Sequence, residues 1–497
     1  MTIRLKKIPI FGEGIFSRSA VVTRQRRLNV YLEVRKDQDK SSIVAYGTPG
    51  LQLAFNASTP LNAPARGLVG NDSALYEVAG NQVLSLSATG LTLQSGMIGT
   101  SYGLVGMALN PTQVMIVDGS AGYVFNPTNG AITTVGGSFP NGAQTVTYCN
   151  GFFICEDPGT NQFFVSNLND GTTWTGLSYA AAVQSIDGIA AVDTIGGLLI
   201  IFTYGHTEFW QNVGGVPEPF QYIQNSATMY GIEAINSRAH VGDSLMFLAH
   251  TNGGSFQNTS GSFQVARIKG YTVQIVSTSD IDNIIQVAAR TSKITDATGY
   301  SYQIDNHNFY QLNFPSANRS LLYDATTDLW SEVQSGITGG YAARHIGNLS
   351  VGAYDQQFIA DYSNGNLYNP DPGVYTDNGN TIVRQIVTRC AIEDFNVFRC
   401  ASIYFDMEVG VGLPTKGVYG YDPHVSISCA RDNMNFGAPR LIPLGKSGQD
   451  LTRVTARRWG KARQMNFDLT MTDPVKFVVA AGAALISQKT YRGRKAA

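Results

Sequence analysis

DGIAAVDTIGGLLIIFTYGHTEFWQNVGG, residues 187–215, holds the unit from which most of the chain is built. Leu198-Leu199-Ile200-Ile201-Phe202 is too short for a free-standing helix and is rich in β-branched and aromatic residues. With glycines at 196–197 and 205 on either side it predicts a fully buried strand. Tyr204-Gly205-His206 predicts a tight turn, glycine being the residue that takes positive φ without a steric penalty. Thr207-Glu208-Phe209-Trp210-Gln211 is then the return strand. One hairpin of this kind cannot cover both of its own faces, so it needs neighbours of the same kind.

The chain supplies them. SALYEVAGNQVLSLSA (73–88), QVMIVDGSAGYVFNPTNGAITTV (113–135) and NGFFICEDPGTNQFFVSNLNDGTTW (150–174) precede the unit, and hairpins over 243–276, 299–333 and 348–370 follow it. A spacing of roughly 30 to 45 residues suits propeller blades better than a solenoid. The units predict six or seven blades. RRLNVYLEVRK near the start alternates Leu28, Val30, Leu32 and Val34, a strand expected to close the propeller ring. Tyr46-Gly47-Thr48-Pro49-Gly50 reads as a type II turn. One short helix is predicted, Asp280 to Ala289, with Ser279 as N-cap and Ile281, Ile284 and Ile285 on one face. Asn252 to Ser262 is polar and of low complexity, a loop.

After Pro372 the strands lengthen: IVRQIVTRC, CASIYFDMEVGVG, HVSISCARD, ARQMNFDLTMTD and VKFVVAAGAALIS predict a separate β-sandwich. The expected organisation is all-β: an N-terminal arm and strand over 1–45, a propeller over 46–372, and a β-sandwich with a basic tail over 373–497.

Charged residues are only 14% of the chain, against 53 glycines and 24 each of Tyr and Phe, which excludes coiled coil and disorder. The formal net charge of −1 conceals an asymmetry. Residues 1–40 hold ten Lys/Arg against four Asp/Glu, residues 451–497 ten against two, and residues 41–450 fifteen against thirty. Such asymmetry concerns association rather than fold, and it predicts that the basic ends dock on acidic surfaces. Five cysteines without a CxxC point to free, mostly buried thiols of a protein made in a reducing cytoplasm. No window approaches the ~18 apolar residues of a membrane-spanning helix, and the N-terminal apolar segment is broken by Pro9, Gly12, Glu13 and Gly14.

The search for chemistry yields no catalytic residue, metal ligand set or cofactor motif. Six histidines are scattered among the repeats without ligand spacing. Gly445-Lys446-Ser447 lacks the earlier glycine of a phosphate loop, Arg440 standing in its place. No GxSxG occurs. Glu156-Asp157 is the kind of carboxylate pair that glycoside hydrolysis uses, but beside proline and glycine turn capping is the expected role. Asn167 to Trp174, NLNDGTTW, resembles the aspartate-box hairpin of sialidase-like propellers, with Asn167 and Asn169 replacing its Ser and Asp. That box is a structural turn, and the aromatics are expected to fill blade interfaces.

Several blocks, in order, resemble the tail-hub proteins of short-tailed phages, also called packaged DNA stabilisation or tail nozzle proteins. They include Asn29-Val30-Tyr31, Thr48-Pro49-Gly50, Arg66-Gly67-Leu68, Leu75-Tyr76 with Gly80, and Leu198 to Phe202 with Thr207-Glu208-Phe209. Phe405 to Gly412, Ser426 to Gly437 and Arg453 to Val475 continue the resemblance. It implies a structural virion protein with no enzymatic activity, made in the host cytoplasm and assembled as a cyclic hexamer below the portal–adaptor. Such a hub continues the DNA channel, retains the packaged genome, and anchors tail fibres or spikes and a needle or plug. The acidic body would let DNA slide without sequence-specific binding, because phosphate binding needs cations. The basic residues Arg453, Arg457, Arg458, Lys461 and Arg463, with Arg492, Arg494 and Lys495 of the tail, are the expected interface. The alternative is a glycan-binding or glycan-hydrolysing propeller, which has no use for the segment RVTARRWGKAR.

Overall fold

The computed structural model describes residues 2–488 except 13–14, 16, 18, 20–21, 36–41, 57–60, 72, 88–89, 185–186, 252–261, 337–346, 354–355, 393–395 and 433–434. The loop expected at 252–262 and the basic tail therefore lie almost wholly outside the described residues. The chain divides into two compact units: residues 53–318 with 345–370, and residues 1–52 with 319–344 and 371–497.

The first unit is a propeller. Four consecutive four-stranded antiparallel sheets begin at Ala65–Asn71, Gly106–Leu109, Val146–Cys149 and Ile189–Ile195. In a fifth, Gly231–Ile232 and Ala239–Val241 both pair with Ser244–His250, and Phe263–Lys269 and Thr272–Ile275 follow. Thr298–Ile304 with His307–Phe314, and Gly347–Ala353 with Gln356–Asp361, supply two more. The leading strands ring an axis: Ala65–Asn71 lies between Gly106–Leu109 and Gly347–Ala353, and Thr298–Ile304 lies between Ala239–Val241 and Gly347–Ala353. The described residues thus supply seven blades.

Apolar side chains from facing sheets bury one another, which is why a single hairpin is insufficient. Aromatic pairs sit between successive blades with ring centroids close together: Tyr76–Phe125 at 5.4 Å, Phe139–Trp174 at 5.1 Å, Phe163–Trp210 at 5.1 Å and Phe202–Phe247 at 4.9 Å. Phe and Tyr fill blade interfaces, as the composition led us to expect.

The hairpin at 198–212 is two strands, Leu198–Thr203 and Thr207–Asn212, with Ile200, Ile201, Phe202 and Phe209 fully buried. Its turn works differently from the expectation. Gly205 does not take positive φ; instead the Thr203 hydroxyl accepts the amides of Gly205 and His206. The positive φ falls earlier, at Gly196 (55°) and Gly197 (81°), the signature of a two-residue hairpin turn.

The second unit is a sandwich of two sheets. One runs Val30–Val34, Ile43–Gly47, Val478–Gln488, Phe398–Met407, Val454–Ala462, with Thr2–Lys7 also on Val478–Gln488. The other includes Arg319–Asp324, Leu329–Val333, Arg26–Leu28, Arg384–Val387, Gln464–Met471, His424–Arg431 and Arg440–Pro443, in that order. Phe398, Ile403, Phe405, Val425, Ile427, Met465, Phe467, Leu469 and Val479 form the core between them.

This corrects the expectation for residues 28–34, which do not close the propeller. Asn29, at φ 50°, breaks the alternation and carries the chain from one sandwich sheet to the other. Its side chain donates to the carbonyls of Gln334 and Val383 and accepts the Gln334 amide. Asparagine tolerates the left-handed region better than other side chains and here uses both ends of its amide. The 1–45 segment is thus part of the sandwich unit, as are residues 319–344. The helix is Ser279–Thr291 and its N-cap is Thr278, whose hydroxyl accepts the Ile281 amide. Gly50 is required by close approach rather than by a type II turn, because a Cβ there would lie 2.5 Å from the carbonyl oxygens of Val374 and Thr376.

Candidate functional site

Among the sequence-predicted interface residues, Arg453, Arg457, Arg458, Lys461 and Arg463 come together on the strand Val454–Ala462 and its flanks, and all five are exposed. Arg492, Arg494 and Lys495 lie outside the described residues. Val454–Ala462 pairs with Phe398–Met407 on one side and ends its sheet on the other. Strict alternation would put the odd-numbered Arg453, Arg457, Lys461 and Arg463 on one face and turn Arg458 to the other, inward. A bulge prevents that: Arg457 faces Ser402 and Gly460 faces Cys400, so Arg458 and Trp459 together oppose a single residue. Arg458 (φ 64°) and Gly460 (φ 83°) take up the distortion. Arg457 and Arg458 consequently both reach solvent, while Trp459 turns into the core. The Trp459 ring packs edge-on to Phe467 with centroids 5.5 Å apart, and its Nε1 donates to the Ala456 carbonyl.

Three further cations, not singled out from the sequence, join the edge. Arg399 is directly opposite Lys461 in the register. Arg440 lies over the Trp459 ring, 4.2 Å from its centroid, and donates to the Arg458 carbonyl. Arg431 comes within 2.9 Å of where a Cβ on Gly460 would sit. Their membership depends on cross-strand register, which no local pattern reveals. The nearby acid Asp432 accepts the backbone amides of Arg463 and Gln464 rather than a guanidinium. None of the five cations on the strand and its flanks makes an ion pair among the described residues.

The propeller axis opens into a cleft of about 980 Å³ lined by the leading strands. Its most polar corner is Asp193, bound by Arg238 at 2.8 Å and by His240 at 3.0 Å. Burial opposes ionisation there, but the two cations and the Thr194 amide prevail and hold the Asp193 carboxyl at about 2.

Two other buried acids of the propeller, Glu156 and Glu208, serve the backbone. Glu156 accepts the amides of Gln144 and Thr145 and the Thr145 hydroxyl, while burial raises its carboxyl to about 7. Glu208 accepts the amides of Val183 and Gln184 and the Trp210 indole N–H. Asp157 accepts the Thr160 hydroxyl, so the Glu156-Asp157 pair caps turns as expected.

The aspartate-box-like segment is likewise a turn, joining Gln162–Asn167 to Asp170–Ala181. Asn169 takes φ 56°, Asp170 accepts from the amide and hydroxyl of Thr172 and the hydroxyl of Thr173, and Trp174 is buried. Gly445 (φ 89°) and Lys446 form a turn closed by Gln449. All five thiols are free and four are buried; burial raises Cys149 and Cys400 to about 11 and Cys429 to about 12, far from the thiolate a nucleophile needs. No helix is long and apolar enough to cross a membrane, and no group of three metal-ligating side chains occurs among the described residues.

Family models match both β-domains, a propeller and a sandwich. A family model described as bacteriophage P22 Gp10, beta-propeller, matches residues 7–374. A second, bacteriophage P22 Gp10, beta-sandwich, matches residues 383–487. No curated protein matches the chain. Among solved structures, the WD40 domain of Neurospora crassa Pan2 is similar at 10% identity, TM-score 0.42, over 65% of this chain and 95% of that one. The N-terminal domain of Nup159 is similar at 12% identity, TM-score 0.38, over 70% and 99%. YCF48 bound to a D1 peptide is similar at 12% identity, TM-score 0.39, over 65% and 98%. With both family models together spanning nearly the whole chain, the protein belongs to the phage stabilisation family of bacteriophage P22 Gp10 and is a structural tail protein, not an enzyme.

Proposed function

We propose that this chain is the hub of a short phage tail, a subunit of a cyclic hexamer that continues the DNA channel below the portal–adaptor. In this reading the ring retains the packaged genome and anchors fibres or spikes and a needle or plug. A closed ring requires contacts between unlike surfaces of neighbouring copies.

The observation that carries the reading is a gap in the charge pattern. Between Lys40 and Arg238 the only lysine or arginine is Arg66, and Arg66 is 2% exposed. Four consecutive blades therefore present no lysine or arginine to solvent. Duplex affinity is set by the number of phosphates that Lys and Arg neutralise. A wall without such cations lets DNA pass, which is what a channel component must do.

The test is the mass of the purified protein in solution, alone and mixed with a portal–adaptor complex. Capture of a ring of copies by the adaptor is the expected result, whatever the state of the free protein. A protein that ignores the adaptor and binds or cleaves glycans instead would overturn the reading.

A further inference from the structure

The Val454–Ala462 edge is unusual in what it combines. A sheet edge exposes alternating backbone donors and acceptors, and proteins commonly guard such edges with charge or a bulge. This edge has both, but the charge greatly exceeds what guarding needs. Arg453, Arg457, Arg458, Lys461 and Arg463 are exposed without ion pairs, Arg399 faces Lys461 across the ladder, and Arg431 and Arg440 lie at the bulge. Against these stand Asp432, already occupied by two backbone amides, and Asp406, one step beyond the Phe405–Val454 pair. So many like charges repel one another in the free subunit, and an anionic partner relieves the repulsion.

The backbone at the bulge carries the same message. Arg458 sits at φ 64°, where glycine or asparagine would be cheaper, and the distortion turns Arg457 and Arg458 outward together. A strained non-glycine residue that displays a charge is a sign of use rather than of folding need.

We infer that this edge receives an extended acidic segment of another tail protein as an added β-strand. The chemistry separates that partner from nucleic acid. A polypeptide offers both donors and acceptors to the open edge, and alternate acidic side chains of a strand face Arg453 and Arg457 on the same side. A phosphate backbone offers acceptors only and leaves the carbonyls of the edge unmatched. The inference rests on the tail-hub reading for the existence of a partner, but not for its chemistry.

The experiment uses the full chain and three fluorescent probes: a twelve-residue alternating Thr-Glu peptide, the same peptide with prolines at alternate threonines, and a duplex DNA. The alternating peptide is expected to bind, to protect amides of Val454–Ala462 from hydrogen exchange, and to weaken at least about tenfold with R453E/R457E. Proline substitution, which removes backbone donors, should weaken it as strongly. Both arginines are exposed, so the variant should keep its unfolding temperature and remain a valid control. Absence of peptide binding, or equal binding of the proline form, overturns strand addition. Tighter binding of the duplex overturns the acidic polypeptide. In either case, capture of the wild-type protein by the portal–adaptor would leave the hub reading standing, which separates the two failures.

Discussion

Glu77 is the residue whose behaviour says most about how tightly the blades close. It is fully buried, both carboxyl oxygens lack a hydrogen-bond partner among the described residues, and Gly365 is so close that a Cβ there would lie 3.2 Å from one of them. Burial first, and the neighbouring Asp361 second, raise its carboxyl well above the usual range. The folded state binds the proton more tightly than the unfolded one, so the stabilisation is full below about pH 4, the unfolded value. It is lost as pH rises toward the folded value. Glu77→Gln should therefore flatten the pH dependence and stabilise the protein at pH 8 by about 1–2 kcal/mol in urea titration, with little gain at pH 4. Arg66 is the opposite case. Its guanidinium donates to the carbonyls of Gly80, Thr100, Tyr102 and Gly103 and to the Thr100 hydroxyl, tying residues 100–103 to the first blade. Arg66→Met leaves those carbonyls unmatched; it should cost about 2–4 kcal/mol and speed hydrogen exchange across that loop. Neither role is visible in sequence. Both depend on which blade each residue faces.

At the scale of elements the strands were legible and their partners were not. Leu198 to Phe202 declares itself by composition and by the flanking glycines, and the longer strands after Pro372 do the same. The helix face of Ile281, Ile284 and Ile285 is likewise buried as its spacing predicts. Residues 28–34 also read correctly as extended chain, but a period of two cannot tell which sheet a strand will join. Asn29 moves the chain between sheets, and its left-handed φ leaves no mark on the alternation. The basic cluster was legible because it is contiguous, whereas Arg399, Arg431 and Arg440 reach it only through register. The bulge offers its own test. Arg458→Gly relieves the positive φ and removes one of the repelling charges, so it should raise stability by about 1 kcal/mol while leaving the fold intact. Arg458→Ala keeps a Cβ at the same φ and should not show that gain.

At the scale of the molecule the segregation of charge governs how the protein meets its surroundings. Among the described residues of the four blades from Ala65 to Tyr222 the acids are buried or half-buried, and Arg66, the one lysine or arginine, is buried, so their exposed surface is made of uncharged side chains. Duplex DNA should accordingly bind weakly at physiological salt. Lysines placed at the exposed Thr133, Thr172 and Thr175 should strengthen binding, each one that engages a phosphate steepening the salt dependence by about 0.9 in logarithmic slope. Fluorescence anisotropy over a salt series measures it, and variants indistinguishable from wild type would show that these blades do not face DNA. The most direct test of the hub itself is electron cryomicroscopy of the protein assembled on a portal–adaptor complex. The expected result is a closed hexameric ring on the channel axis, with a lumen wide enough for duplex DNA. Copies attached singly at the periphery, with the axis left open, would contradict it.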